Sequence, residues 1–429
     1  MGRLSLLIAL FVWIGGMTAA RAQVETTPYP DGIPDPVPLL DEGEYAITNY
    51  LLLGSDTFNT QNIGRTDVIV IVSINHTAGT VAMLSLPRDL YVYIPDYQLQ
   101  RINTAFAYGV QSEHPNGGIG ALRDTIRYNL GIEIDHYARV DFTRFQQIVD
   151  DLGGVSIAVD CIIEDWRLIE PTLDPTVEEN WAQFQLGVGV HEMDGDLALW
   201  YARSRRTTSD FDRGRRHQQL LRAIWRRIQS LNLVQQVSDV YPQLLESVET
   251  DITLDEMLTL VPLAVQLDPQ RIASYTLRSN VEVYSWASPE GSSVLAIHPD
   301  ALRARLERFY TPPTALQTRS ERPTVEIINA TGYSDMTQVA ADRLAWDGFI
   351  PIIGEPAAIT TPTTVIYDLA ARARDSSRGL LQRILRVDDA SVVIDPMPSR
   401  TADYRVVLGR SYGTCNYNTA EPTPPTGDM

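Results

Sequence analysis

The densest concentration of chemistry in the chain lies in residues 201–227, YARSRRTTSDFDRGRRHQQLLRAIWRR, where nine arginines stand against two aspartates in a protein of formal net charge −19. Arg presents a rigid planar fork of donors that matches phosphate oxygens two at a time. The choice of Arg over Lys carries little weight, because no Lys occurs anywhere in the chain; the clustering is the signal. Upstream, Asp56, Asp67, Arg65, Arg88 and Arg101 stand next to apolar runs. Two carboxylates and several guanidinium forks suit a substrate with two phosphates. Mg²⁺ or Mn²⁺ on oxygen ligands would neutralise part of the charge and arginine would hold the rest. Phosphoryl transfer asks for little beyond such positioning and charge stabilisation. Each aspartate alone has a plainer reading, as a turn residue or an Arg partner. No P-loop, no G-x-S-x-G elbow and no Cys/His nucleophile pair competes, and the six histidines show no zinc-ligand spacing.

These residues need elements to aim them. Asp194 to Arg203 reads as a capped helix with Leu197, Ala198 and Tyr201 at helical spacing. Asp210 or Asp212 would cap a second helix, whose Leu220, Leu221, Ile224 and Ile228 form an apolar stripe. Arg213 and Arg216 then fall in its first turn, where cations oppose the helix dipole, so either a bound anion or nearby carboxylates must compensate them. Residues 51–53, 68–74 and 81–86 read as strands that end on Asp56, begin after Asp67 and run into Arg88. Residues 117–130 form a helix closed by Gly131, 136–140 a strand, 142–152 a helix and 155–159 a strand. Strands alternating with helices imply an α/β sheet, with ligands bound beyond strand ends.

The chain has 429 residues and ordinary apolar content, enough for two domains plus termini. Residues 1–22 read as a secretory signal, Arg3 followed by an apolar run and an A-x-A site, with an uncleaved membrane anchor as the alternative. Residues 23–44 read as an acidic, Pro-rich linker, 45–310 as the main domain, 311–322 as a second linker, 323–415 as a compact α/β module and 416–429 as a disordered tail. The acidic pI and export argue against a nucleic-acid partner. Trp166, Trp181 and Trp200 would either stack on sugar rings or lie half buried. An exported chain with two cysteines, each near the end of a strand-like run, is expected to join Cys161 to Cys415; the alternative is two unrelated thiols.

The runs LLLGSD, GRTDVIVIVSI, SLPRD, RINTAFAYG, DDLGGV, MDGDLALWYARSR and SDFDRGRRHQQ, in that order over residues 46–235, resemble the LytR-CpsA-Psr family of cell-wall glycopolymer ligases. The stretch from Pro323 to Tyr412 resembles the C-terminal domain that accompanies some members. The resemblance implies a central mixed sheet covered by helices, plus a small C-terminal α/β domain. It also implies transfer of a glycan from a polyprenyl-pyrophosphate carrier to peptidoglycan at the membrane surface. By position, Asp56 and Asp67 match metal-associated aspartates, with Asp67 and Arg88 catalytic. Arg65, Arg88, Arg101, Arg203, Arg205 and Arg213 match pyrophosphate-binding positions. Arg101 stands where Lys is frequent. His217 stands where Gln is expected, so either His217 or the adjacent Gln218 would take that contact. A non-catalytic binder of the same lipid and a nucleic-acid-binding regulator are the rival readings.

Overall fold

The computed structural model describes residues 32–56, 66–267, 269–312, 323–371 and 376–415. The 1–22 segment, Arg65, most of the second linker and the 416–429 tail lie outside the described residues. Among those described, no helix is long and apolar enough to cross a membrane.

Apolar runs with β-branched residues build a six-stranded mixed sheet. Its strands are β1 (Ile47–Ser55), β2 (Thr66–Asn75), β3 (Thr80–Ser85), β6 (His136–Asp141), β11 (Glu249–Thr250) and β12 (Ile272–Thr276), in the order β11-β6-β1-β2-β3-β12. β1 runs antiparallel to β2 and β2 antiparallel to β3, whereas β6 is parallel to β1 and β12 to β3. One edge of the sheet therefore gathers the end of β1, the start of β2 and the ends of β3 and β6.

One sheet face packs on α1 (Ala105–Gln111), α2 (Gly117–Leu130) and α8 (Pro299–Tyr310), with Leu51, Ile69, Ile71, Leu84, Leu122 and Phe309 in a common core. Short hairpins β4 (Tyr91–Tyr93) with β5 (Leu99–Arg101) and β13 (Val283–Ala287) with β14 (Ser293–Ile297) close that side. The other face is roofed by α3 (Phe142–Asp151), α4 (Gly195–Arg203) and α5 (Asp210–Ser230). α6 (Val237–Ser247) and α7 (Leu254–Gln266) continue the chain towards β12. Gly131 ends α2 in the left-handed conformation, φ 67°, as its place after the last apolar residue requires.

Part of the segment read as an acidic linker is no spacer. Val37 N–H donates to the Tyr128 carbonyl, Leu40 N–H to the Gly131 carbonyl, and Leu40 is buried in the core. Its apolar Val-Pro-Leu-Leu end straps α2, and burial of a Leu outweighs the local composition.

Two paired segments stand outside the main sheet. β7 (Val155–Val159) pairs with β10 (Gly189–Met193), and β8 (Ile163–Leu168) with β9 (Trp181–Leu186). The C-terminal module is a five-stranded sheet of β15 (Thr324–Asn329), β16 (Ile350–Ile353), β17 (Val365–Asp368), β18 (Val392–Ile394) and β19 (Tyr404–Leu408). It carries α9 (Met336–Trp346) and α10 (Ser376–Leu385). Ala158 joins its core, and α9 lies on β7 and β10. Cys161 and Cys415 are bonded, with Cα atoms 4.9 Å apart, as expected for this pair. Beside them Asp160 is buried between Arg215 at 2.5 Å and Arg343 of α9 at 3.7 Å. Burial pushes the Asp160 carboxyl up, but the two guanidiniums outweigh it and hold the group below its ordinary value.

Candidate active site

The strand side of the site depends on a β-bulge. Ser55 faces Thr66 while Gly54 faces Val68, so Asp67 is the unpaired residue of β2 and its side chain leaves the regular pleat. Its Oδ1 accepts a hydrogen bond from Arg88 Nη1 at 2.8 Å, just beyond β3. Burial opposes the charge on Arg88, but Asp67 and Asp89 outweigh it and raise the group above its usual range.

The helix side begins where α4 ends. Its N-cap is Asp194, as its sequence indicates. α5 is capped by Ser209 and not by Asp210 or Asp212: Ser209 and Asp212 form a reciprocal capping box, which the Ser-x-x-acid spacing encodes. The start of α5 approaches β3 closely at Gly214, where a Cβ would stand 3.1 Å from the Ser85 Cβ. This approach sets Arg213 across from Arg88. Burial pushes the Arg213 guanidinium below its ordinary value; Asp210 opposes this, and the positive charges of Arg88 and Arg205 add to it. These cations repel one another, as expected of a site that awaits an anion.

Asp67, Arg88, Arg203, Arg205, Arg213 and His217 line one end of a cavity of about 440 Å³ between the sheet and the roof. The remainder is apolar: Leu52 and Val68 from the sheet, Phe142, Phe145 and Ile148 from α3, and Leu199, Leu221 and Ile224 from α4 and α5. All of these are only half buried, so the unfilled demand for apolar contact lies inside the cavity.

The arginines divide by what already holds them. Arg203 and Arg205 are exposed, and among the described residues neither guanidinium has a carboxylate within ion-pair distance; Arg203 lies 4.5 Å over the Phe142 ring. Among the described residues Arg213 pairs only with Asp210, at 3.0 Å. Arg216, for which either an anion or nearby carboxylates are expected, is turned the other way. It donates to the carbonyls of Tyr201 and Ser204 and, at 2.8 Å, to Thr208 Oγ1, and so fastens the end of α4 and the following loop.

The expected phosphate contacts of Gln218, His217 and Arg101 are corrected. Gln218 does not reach the cavity: it is fully buried and donates to Ser85 Oγ at 2.8 Å and the Tyr275 carbonyl at 2.7 Å. His217 reaches the cavity but lacks a donor for phosphate. Its Nε2 lies 3.0 Å from the Ala202 carbonyl, which only accepts, so the single N–H of the neutral ring is engaged there. The ring stays neutral, because burial first and then Arg213 and Arg216 push it down to about 3. Arg101 stands one step back, 3.3 Å from Asp89 and bonded to the Ser293 carbonyl, outside the cavity lining. Asp56 is exposed at the end of β1, also outside the lining. Phe142 was not foreseen, and nothing in its local sequence signals its place under Arg203.

For a divalent cation the donors are oxygen only. Among the described residues no group of three or more His, Cys, Asp or Glu is arranged to hold a metal. Mg²⁺ is commonly held by one or two carboxylates together with substrate phosphates, and of the two aspartates only Asp67 stands in the cavity lining to contribute to such a sparse set.

The fold and site together suit an amphiphilic anion: an apolar cavity ends in guanidiniums, two of which, Arg203 and Arg205, have no carboxylate within ion-pair distance among the described residues. The sequence model of the LytR_cpsA_psr family matches residues 38–305, and the chain belongs to that family. A second model, the LytR cell envelope-related transcriptional attenuator, matches residues 322–412. A curated relative from Bacillus subtilis (strain 168), named polyisoprenyl-teichoic acid–peptidoglycan teichoic acid transferase TagT, is 30% identical over 223 residues, 51% of this chain and 64% of the relative. A Corynebacterium glutamicum relative, named probable cell wall biosynthesis protein LcpB, is 31% identical over 205 residues, 44% of each chain. The chain thus spans less than two thirds of the length of these relatives. The crystal structure of B. subtilis TagV shares the fold, with TM-score 0.50 and 23% identity over 63% of this chain and 100% of that one.

Proposed function

We propose that the protein is an exported phosphotransferase that moves a glycopolymer from a polyprenyl-pyrophosphate carrier to peptidoglycan. The observation that carries this reading is the continuity of the apolar cavity with Arg203, Arg205 and Arg213, which suits a long isoprenoid joined to a pyrophosphate. The names of the relatives support the same chemistry. The isoprenoid would lie between α3, α5 and the sheet. Its pyrophosphate would meet the three guanidiniums and Arg88, whose charges balance the electrons gathered on oxygen in the transition state.

In this reading an acceptor hydroxyl oxygen attacks the phosphorus that bears the glycan. The bond from that phosphorus to the bridging oxygen breaks, and polyprenyl phosphate leaves. The hydroxyl proton passes to the Asp67 carboxylate, one oxygen of which is already held by Arg88, and then to solvent. Mg²⁺ or Mn²⁺, held by Asp67 with the pyrophosphate, would supply charge neutralisation. Work at the membrane surface, where a polyprenyl carrier resides, belongs to the same proposal.

Asp67→Ala tests it. The expected result is loss of polyprenyl phosphate release with retained lipid binding, and unchanged turnover defeats the assignment. Full activity after exhaustive chelation would remove the metal from the scheme.

A further inference from the structure

The β8–β9 hairpin has one face engaged and one free. Towards α4, Phe184 meets Trp200 edge-on at 4.9 Å and Arg167 pairs with Asp196 at 2.5 Å. The register sets Glu164 against Gln185, Trp166 against Gln183 and Leu168 against Trp181, so these six share the opposite face. Glu164, Gln183 and Gln185 are exposed there, and Trp166 is 50% exposed. Exposed indole beside planar amides and a carboxylate is the chemistry that recognises sugar: the ring stacks on C–H faces while the polar groups bond hydroxyls.

This face is tied to the anion site. The Asp165 carboxylate accepts from the backbone N–H of Arg205 at 2.7 Å and of Arg206 at 3.3 Å. Glu164 N–H donates to Thr207 Oγ1 at 3.0 Å, and the Arg206 guanidinium stands 6.0 Å from the Trp166 ring. The hairpin thus begins at the Arg205 rim, whereas Asp67 and Arg88 come from the strand side. A glycan leaving the pyrophosphate at that rim would meet the hairpin first.

Charge narrows the ligand. Residues 163–186 hold six carboxylates against the Arg167 guanidinium, and with Arg206 at the Trp166 ring counted the balance is still six against two. Within a Debye length of about 8 Å such an arm repels a polyanion and tolerates an uncharged sugar chain.

We infer that the outer face of the β8–β9 hairpin, centred on Trp166 and Gln183, binds the glycan of the lipid-linked donor and selects an uncharged one over a phosphate-bearing one. This rests on the donor reading above.

The test uses the full chain, wild type, Trp166→Ala and Trp166→Phe, in two arms. Titration calorimetry follows soluble pentasaccharides (glucose, galactose, arabinose and N-acetylglucosamine series) and poly(glycerol phosphate). A second titration compares polyprenyl pyrophosphate bare, carrying a neutral tetrasaccharide, and carrying a glycerol-phosphate tetramer. The inference expects at least one neutral pentasaccharide to bind, an affinity loss of about tenfold in Trp166→Ala, and recovery of most of it in Trp166→Phe. It also expects the neutral-glycan lipid to outbind the bare lipid about tenfold in wild type and not in Trp166→Ala, with bare-lipid affinity equal in both. Binding of a neutral pentasaccharide that depends on Trp166, without any bare-lipid binding, would keep the sugar site and remove the carrier reading. Failure of every neutral pentasaccharide, equal binding of poly(glycerol phosphate), or equal affinity of Trp166→Ala and wild type for the neutral-glycan lipid would overturn the inference.

Discussion

Arg205→Ala separates binding from folding, because the Arg205 guanidinium has no carboxylate partner among the described residues and lies in solvent. Its backbone N–H, which Asp165 accepts, survives the substitution. Apo stability should therefore change by less than about 0.5 kcal/mol. A charge-assisted contact to pyrophosphate is worth about 1.5–3 kcal/mol, so ligand affinity should fall roughly 10- to 150-fold. Thermal shift with farnesyl pyrophosphate, a soluble short-chain probe, reads both at once. At a ligand concentration of about 100 times the wild-type Kd, binding adds about 2.7 kcal/mol. For a variant about 30-fold weaker the gain drops to roughly 0.9 kcal/mol. At about 2–4 °C per kcal/mol, the ligand-induced rise should shrink from about 5–10 °C to about 2–4 °C while the apo midpoint stays put. A variant with an undiminished rise would refute the placement of pyrophosphate at this rim.

Arg216→Ala should behave in the opposite way, losing about 3 kcal/mol or more of stability, because the carbonyls of Tyr201 and Ser204 and the hydroxyl of Thr208 lose their donor; denaturant titration measures it. His217 is pushed down to about 3 in the folded chain, so the stability tied to its neutral form is complete above its ordinary value near 6.5 and is lost as pH falls towards 3. Relative to wild type, His217→Gln should gain up to about 2 kcal/mol between pH 7 and pH 5, read from urea midpoints at the two pH values. Replacing both Cys161 and Cys415 by Ser opens a closure of 254 residues, which the chain-entropy estimate values at roughly 5 kcal/mol as an upper figure. The expected result is a lower thermal midpoint and faster proteolysis between the two modules, and an unchanged midpoint would show that the Asp160 ion pairs and α9 packing suffice without it.

Regular elements are legible in this chain where an apolar run is long and its ends are marked. β2, α2 with Gly131, and α3 with its Gly-Gly stop fall where their patterns indicate, because burial and turn chemistry agree there. The direction of individual side chains is less legible. Arg213 and His217, four apart, share a helix face, while Gln218 lies about 100° further round and meets Ser85 instead. Arg216 is one residue from His217, yet it is turned towards the end of α4. The residue types give no warning, since guanidinium serves carbonyls as well as phosphate. The bulge that turns Asp67 outward depends on pairing with β1, a non-local event. The cavity is invisible for a similar reason: Leu221 and Ile224 continue the same stripe as buried Leu220, and only the roof geometry leaves them facing open space.

Mass spectrometry of lipid extracted from the purified full chain and from Leu221→Arg, which sets a charge in the apolar cavity, weighs the whole account. Wild type should carry a polyprenyl pyrophosphate or its glycoside, and the variant should carry none while keeping its fold. Absence of any isoprenoid from the wild type after expression in a host that makes such carriers, or equal recovery from both proteins, would contradict it.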